Sequence, residues 1–304
     1  MTSEPLSSLP AFPRRDRVRG LACQLTASLM FAVMNVCVYA IGLCEPQLPV
    51  TMVSFTRLLI NLMILAVPAL LGRRFLRLFG DLRLSLWLRG LFGSLALMMS
   101  FASIQMIGPG ESAFLGASSA VFVALLGPFV LRQRNSPLVW LAILGAMAGL
   151  ALLFEPRFEG GDWLGRLLGL CTGFFAALAY LMVAKAGRSN STESVIFYFC
   201  LVGLGIHLAY FAGFGTALPS SPDVWVLLLA GGASASVAQF YMTRAYQIAP
   251  AALVSAVAYL SPVLSLGLGM ALFSRAPDAM GWLGCALVLL FGVMLPFLSA
   301  AGRR

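Results

Sequence analysis

Several amide side chains lie inside long apolar stretches of this sequence, where a hydrogen-bonding group needs a partner. Gln24 and Asn35 fall in the first apolar stretch, and Gln239 falls in the eighth. An amide takes part in several hydrogen bonds, and leaving a buried one unsatisfied costs roughly 1–3 kcal/mol. These side chains therefore either pair with neighbouring helices or face a wet cavity that binds a polar solute, and the sequence leaves both interpretations open.

The stretch from Pro250 to Phe273 carries a proline, Pro262, near its middle. Proline removes one helical hydrogen bond, so the freed carbonyl must be satisfied by a neighbouring helix, a hydroxyl or water. Tyr259 lies on nearly the same helical face. The proline is interpreted either as a plain kink or as a break that lines a cavity and takes part in gating. Further polar candidates for the same cavity are Tyr39, Ser119, Tyr180 and Tyr246.

Arginine side chains inside the apolar stretches are candidates for binding an anion or for pairing with a carboxylate. Arg57 lies well inside the second stretch, where snorkelling to water suits it poorly. It is expected to pair with Glu111 or Glu45, or to await a carboxylate on a ligand. Arg89 and Arg244 lie near the ends of their stretches, and snorkelling to the aqueous interface is expected to account for them.

Membrane-spanning helices must position these residues, because the composition excludes a soluble protein. The chain has 304 residues, of which 60% are hydrophobic and 10% charged, whereas a soluble protein carries roughly 25% charged residues. Ten stretches approach the ~20 apolar residues that cross the hydrocarbon core. The predicted fold is an all-α integral membrane protein embedded in the lipid bilayer. The predicted spans are 18–41, 49–72, 84–107, 110–131, 137–154, 163–186, 194–215, 223–247, 250–273 and 279–300.

Positive charge is concentrated on one side of the predicted membrane. The formal net charge is +9, but its distribution follows the positive-inside rule. The distribution predicts a multi-pass protein with both termini in the cytoplasm and gives no support for a nucleic-acid partner. The predicted inner segments hold Arg14, Arg15, Arg17, Arg19, Arg73, Arg74, Arg77, Arg83, Arg132, Arg134, Lys185, Arg188, Arg303 and Arg304, and the outer loops hold Arg157, Arg166 and Arg275.

The two halves of the chain resemble each other. The segment Ile104–Phe122 (IQMIGPGESAFLGASSAVF) aligns with Ala245–Val263 (AYQIAPAALVSAVAYLSPV), which pairs Pro109 with Pro250. Each half holds five predicted spans, so the second repeat must enter the membrane from the opposite side. The expected organisation is a disordered cytoplasmic tail (1–17), a first five-helix repeat (18–154), a second, inverted repeat (155–300) and a cytoplasmic C-terminal tail (301–304).

The helix number, the repeat and three short motifs resemble the drug/metabolite transporter superfamily, of the ten-helix kind built from two EamA-type repeats. The motifs are SFTRLLINL (Ser54–Leu62), GPGES (Gly108–Ser112) and YLSPVLSL (Tyr259–Leu266). The resemblance implies a secondary transporter that works by alternating access, with its substrate near the membrane midplane where the repeats meet. Within the superfamily the chain is similar to the bacterial aromatic amino-acid exporters.

Two features depart from the pattern of that superfamily. Members often carry a glutamate just after the fourth and ninth spans, where this chain has Gln133 and Ser274–Arg275. Val121 stands where the proline of the fourth span is common. These differences do not affect the implied fold. The chain lacks the carboxylate on which any role of that glutamate would depend.

The resemblance implies a monomeric transporter of the bacterial inner membrane that exports small amphipathic metabolites, with amino acids, including aromatic and apolar ones, as the expected solutes. An exporter of drugs or other metabolites is the alternative within the superfamily. A channel is disfavoured because no continuous polar ring is apparent. An enzyme is not expected, since one histidine, His207, and six cysteines without metal-ligand spacing support neither a catalytic group nor a metal or other cofactor.

Overall fold

The computed structural model describes residues 12–107, 109–133, 135–155, 162–273, 278–294 and 296–297. Residues 1–11 and 301–304 of the predicted tails, and the last residues of the tenth predicted span, lie outside those ranges. The described ranges contain helices and no strand. The α-helices are α1 (Arg14–Cys44), α2 (Val50–Leu71), α3 (Leu84–Ile107), α4 (Pro109–Ala117), α5 (Ser119–Val130), α6 (Pro137–Phe154), α7 (Trp163–Ala186), α8 (Thr192–Phe214), α9 (Pro222–Ile248), α10 (Ala251–Ala258), α11 (Leu260–Phe273) and α12 (Ala279–Leu287).

The helices confirm the predicted membrane class. Within the described ranges, nine helices are long and apolar enough to cross a bilayer. Spanning segments are expected to be helical, because a chain in hydrocarbon must satisfy its backbone hydrogen bonds internally. The tenth predicted span is present as α12 and a π-helical turn, Val288–Met294. α1 differs from the expectation, since it begins at Arg14 inside the segment expected to be disordered. Asp16 lies in its first turn, where a carboxylate stabilises a helix N-terminus.

The packing of the helices shows that the second repeat is inverted relative to the first. α1 packs along α9 and α3 packs along α7, so the first helix of each repeat lies beside the third helix of the other. α2 contacts α8, and α6 contacts α12. Arg166 at the start of α7 pairs with Glu111 at the start of α4, with 2.7 Å between Nε and Oε1. The start of α7 therefore lies at the opposite end of the bundle from the start of α1.

The two ends of the bundle differ in the charge of their loops. We call the end at which α1 begins the basic end; there the loops 72–83, 131–136 and 187–191 connect successive helices. The other end, with the loops 45–49 and 215–221 and the start of α7, is the acidic end. The largest cluster of buried apolar side chains includes Leu78, Leu131 and Ala249 and lies toward the basic end.

Hydrogen bonds between loops join the two repeats at both ends. At the basic end, the backbone N–H of Asp81 donates to Oδ1 of Asn190 (2.9 Å), and Oγ of Ser189 donates to Oδ2 of Asp81 (2.7 Å). Burial raises the pKa of Asp81, but the hydrogen bonds from Ser189 and Asn190 outweigh that effect and hold this pKa below its ordinary value. At the acidic end, Oγ of Ser220 donates to Oε1 of Glu45 (2.9 Å).

The fourth and ninth membrane-spanning helices are both interrupted, and at equivalent positions. Ser118 separates α4 from α5, and Tyr259 separates α10 from α11, each nine positions after the paired prolines Pro109 and Pro250. The backbone angles are φ −55° and ψ −14° at Ser118, and φ −60° and ψ −14° at Tyr259. Both N–H groups donate to the carbonyl three residues earlier, as in a 3₁₀ turn.

The break in the first repeat forms without a proline. Val121 occupies the position that Pro262 occupies in the second repeat, yet both helices break at the same place. The proline is therefore not required for the interruption, and it adds one specific effect. Pro262 has no N–H to donate to the carbonyl of Ala258, so the break in the second repeat leaves that carbonyl without its helical partner.

Glycines on α7 allow close packing against the first repeat. A Cβ atom on Gly165 would lie 2.7 Å from a side-chain carbon of Ile107 in α3. A Cβ atom on Gly173 would lie 3.1 Å from the carbonyl oxygen of Leu115 and 3.1 Å from the backbone nitrogen of Ser119. Small residues at such contacts are how helices approach closely in a membrane, and here they bring α7 against the break between α4 and α5.

Replacing Gly173 by leucine is expected to lower the free energy of unfolding by ~1–3 kcal/mol, because an overpacked side chain must displace backbone atoms. The measurement is thermal unfolding of the purified protein in detergent. Gly205→Leu in α8 is the matched control, since nothing lies within 4 Å of the Cβ position there. Equal melting temperatures for the two variants would contradict the close packing of α7.

Candidate functional site

A cavity of about 340 Å³ lies inside the bundle, between the two repeats. Its walls come from α1, α2 and α3 of the first repeat and from α7, α8, α9, α10 and α11 of the second. An adjoining chamber of about 280 Å³ shares Met34, Asn35, Arg57, Leu97 and Ser100 with it. That chamber extends between α1, α2, α3 and α9 toward the acidic end, where Ile41 and Ile104 also line it.

Several of the polar residues selected from the sequence meet at this cavity, although they are far apart in the chain. Those that line it are Gln24, Asn35, Arg57, Tyr180, Gln239 and Tyr246.

The other candidates have different surroundings. Tyr39 is 41% exposed on α1 and lines neither chamber. Ser119 lies at the start of α5, against Gly173. Tyr259 is buried, and its hydroxyl donates to the carbonyl of Ala117 (2.8 Å). Pro262 does not line the cavity itself, but Ala258 and Ser261 beside it do.

The amides of the cavity both pair with neighbouring groups and face the cavity, the two roles that the sequence left open. Nδ2 of Asn35 donates to Oγ of Ser265 in α11 (3.0 Å), so this amide both lines the cavity and pairs with a neighbouring helix. Nε2 of Gln239 donates to Oγ1 of Thr243 in its own helix (3.4 Å). Oε1 of Gln24 is buried and has no protein partner among the described residues. The cavity thus retains hydrogen-bonding capacity for a solute.

Aromatic rings and hydrogen bonds close the cavity at the basic end. The rings of Tyr180 and Tyr246 stack with 5.0 Å between centroids and 10° between planes. The hydroxyls of Tyr246 and Ser255 lie 2.8 Å apart. Closer to the basic end, Oε1 of Gln133 accepts a hydrogen bond from the backbone N–H of Ala251 at the start of α10 (3.1 Å). The glutamine at the position of the family glutamate therefore links the two repeats.

Arg57 does not form either of the ion pairs expected from the sequence. Glu111 pairs with Arg166, and Glu45 accepts hydrogen bonds from Ser220, so both carboxylates already have partners at the acidic end. The Arg57 guanidinium lies 5.6 Å from the ring centroid of Phe31 instead. No carboxylate within ion-pair distance of Arg57 is found in the described part of the chain.

Arg89 is the charged cavity residue that sequence reasoning missed, and the expectation that it snorkels to the interface is wrong. Its side chain is 3% exposed and lines the cavity. The Cζ atom lies 4.3 Å from the ring centroid of Phe199 in α8. Nη1 lies against Gly93, one turn further along α3, so the guanidinium points away from the helix end that snorkelling would favour. The glycine, which leaves room for the guanidinium, is the signal that the sequence offered.

The inverted repeats make contacts that are equivalent in most places but different at the two ends. α5 packs against α10 toward the basic end, whereas their counterparts α11 and α4 have no comparable contact in the described ranges. α7 likewise contacts α9, whereas α1 and α3 have no comparable contact. α5 and α10 are therefore in contact at the basic end, whereas α1 and α3 have no comparable contact among the described residues and the second chamber lies between them toward the acidic end.

A model of EamA-like transporters matches this chain twice, over residues 18–155 and 163–297. The chain belongs to the EamA-like transporter family. Each match covers one of the two five-helix units, which agrees with the inverted arrangement of the helices. The family assignment makes the protein a membrane transporter.

Individual relatives of this EamA-like transporter carry different solutes by name. A pseudopaline exporter, CntI, from Pseudomonas aeruginosa is 26% identical over 281 residues, which cover 91% of this chain and 95% of the exporter. A riboflavin transporter from Vibrio cholerae is 26% identical over 288 residues, covering 90% of this chain and 91% of that protein. A crystal structure superposes with a TM-score of 0.78 at 18% identity, over 91% of this chain and 96% of its own. That likeness shows the fold alone.

Replacing Asn35 or Gln239 by alanine is expected to lower the transport rate without preventing membrane insertion, because each amide lines the cavity. The measurement is uptake of labelled solute by proteoliposomes with equal amounts of inserted protein. Thr26→Ala in α1 is the control, since its hydroxyl bonds the carbonyl of Ala22 in the same helix and lies outside the cavity lining. Unchanged flux in both amide variants would remove these residues from the site.

Proposed function

We propose that this transporter exports small amphipathic metabolites, with amino acids, including aromatic and apolar ones, as its principal solutes. The observation that carries the proposal is the cavity between the repeats, which is closed at the basic end and continues toward the acidic end. A solute site near the crossing of two inverted repeats is what alternating access requires.

The lining of the cavity supports an amphipathic solute. Phe31, Met34, Leu97 and Met242 offer apolar surface, and Arg57 with the amides offers polar contacts. Small-molecule sites are typically apolar with a few placed polar groups, and they range over roughly 300–1,000 Å³. The cavity of about 340 Å³, which continues into the chamber of about 280 Å³, falls within that range and has room for an amino-acid-sized solute.

A relative named as an exporter supports export, and the charge of the loops orients the chain. The loops of the basic end carry Arg73, Arg74, Arg77, Arg83 and Arg188, and the positive-inside rule assigns such an end to the cytoplasm. Both termini are then cytoplasmic, in a bacterial inner membrane. The cavity then opens toward the periplasm, the side to which an exporter releases its solute.

The test of transport is counterflow of labelled amino acids into proteoliposomes, with and without a proton gradient. Saturable flux of phenylalanine and leucine is expected. Riboflavin is included because a relative is named for it, and its transport in place of amino acids would support the alternative of an exporter for other metabolites. Linear flux without saturation would contradict a carrier and indicate a channel.

The orientation makes a separate prediction for Cys44. This cysteine is exposed at the end of α1, on the acidic side, so a membrane-impermeant maleimide added to intact cells is expected to label it. The test uses a variant in which Cys44 is the single cysteine, since Cys37 lines the second chamber and is itself accessible from that side. Labelling that occurs only after the membrane is permeabilised would contradict cytoplasmic termini.

A further inference from the structure

Two arginines place like charges around the cavity between the two repeats. Arg57 of α2 and Arg89 of α3 both line it. Arg89 is 3% exposed, and its Nε has no hydrogen-bond partner in the described part of the chain. The rings of Phe31 and Phe199 lie against the two guanidiniums. A ring face attracts a cation, but it accepts few of the five N–H bonds that a guanidinium donates.

No carboxylate of the described residues neutralises this pair. The acids of that part of the chain lie in loops, at helix caps or in first turns, and none lines either chamber. They are Asp16, Glu45, Asp81, Glu111, Glu155, Asp162, Glu193, Asp223 and Asp278.

An unpaired buried charge is costly in a medium of low polarity, and ionisable groups inside a membrane bundle mark the paths of charged solutes. Two such charges on one cavity repel each other. The arrangement is stabilised when an anion occupies the space between them. A planar guanidinium suits a carboxylate in particular, because two parallel N–H groups bind its two oxygens.

We infer that Arg57 and Arg89 form an anion-binding pair and that the transported solute is an organic carboxylate, held by its carboxyl group while its apolar part lies among the aromatic side chains of the cavity. The inference rests on the proposed function for the movement of the solute and on the two arginines alone for its binding. The solute does not need an amino group, because no carboxylate among the described residues lines the cavity to bind one. Neutral oxygens such as Oε1 of Gln24 are what the cavity offers to such a group.

The inference is tested by binding to the full-length purified protein in detergent. The probes share one apolar body and differ in charge: L-phenylalanine, 3-phenylpropionate and 2-phenylethylamine, compared at constant ionic strength. Both carboxylates are expected to raise the melting temperature and the amine is not. Stabilisation by the amine equal to that by 3-phenylpropionate would overturn the inference.

The variants Arg57→Gln and Arg89→Gln are each expected to weaken binding of 3-phenylpropionate at least tenfold, while Arg89→Lys keeps part of the affinity because it retains the charge and loses the planar fork. Arg244→Gln is the matched control, since Arg244 is an exposed arginine of α9 that lines neither chamber. Wild-type affinity in both cavity variants would overturn the inference.

Two further comparisons separate the alternatives. Gly93→Ala keeps both charges but crowds the Arg89 guanidinium, so weaker carboxylate binding is expected even if a glutamine variant does not fold. Chloride is expected to compete with 3-phenylpropionate; stabilisation by chloride without competition would overturn a shared site.

Carboxylate binding without flux would support the anion-binding pair and contradict transport. Saturable flux of the amine would contradict the anion-binding pair and support transport.

Discussion

A hydrogen bond of 2.8 Å from the hydroxyl of Tyr259 to the carbonyl of Ala117 joins the two interrupted helices where each loses its regular backbone pairing. Hydrocarbon supplies no partner for a free carbonyl, so a mid-membrane break is stable only where protein or water completes it. Tyr259 completes the break of the first repeat. In the second repeat, the carbonyl of Ala258 has no helical partner because Pro262 lacks an N–H, and Ala258 lines the cavity. The break in the second repeat thus borders the cavity between the two repeats.

The inverted repeats also provide equivalent elements at the two ends of the bundle. α5 and α10 are in contact at the basic end, and their counterparts α11 and α4 are separated at the acidic end. Exchange of these roles would open the basic end and close the acidic end with equivalent elements, as expected for transporters of this architecture. The loop contacts of Asp81 with Asn190 and of Glu45 with Ser220 join the repeats at both ends, and they suit a hinge that stays closed while the helices rock.

The sequence predicts the helices well because bilayer thickness and backbone pairing leave few alternatives; the predicted span 84–107 and α3 have the same bounds. It predicts part of the cavity because polar residues in apolar helices gather at interfaces. It fails for Arg89 because position along a helix gives depth but not the direction of the side chain. It fails for the partner of Arg57 because Glu111 pairs with Arg166 across the repeats, a contact that depends on tertiary packing.

The most direct measurement of alternating access is the distance between spin labels at both ends of the same protein in a bilayer. One pair replaces Gly42 in α1 and Met106 in α3, at the acidic end, and the other replaces Lys185 in α7 and Arg244 in α9, at the basic end. Alternating access around the central cavity predicts two populations, in which a shorter distance at the acidic end accompanies a longer one at the basic end when solute is added. Distances that stay fixed, or that lengthen together at both ends, would contradict it.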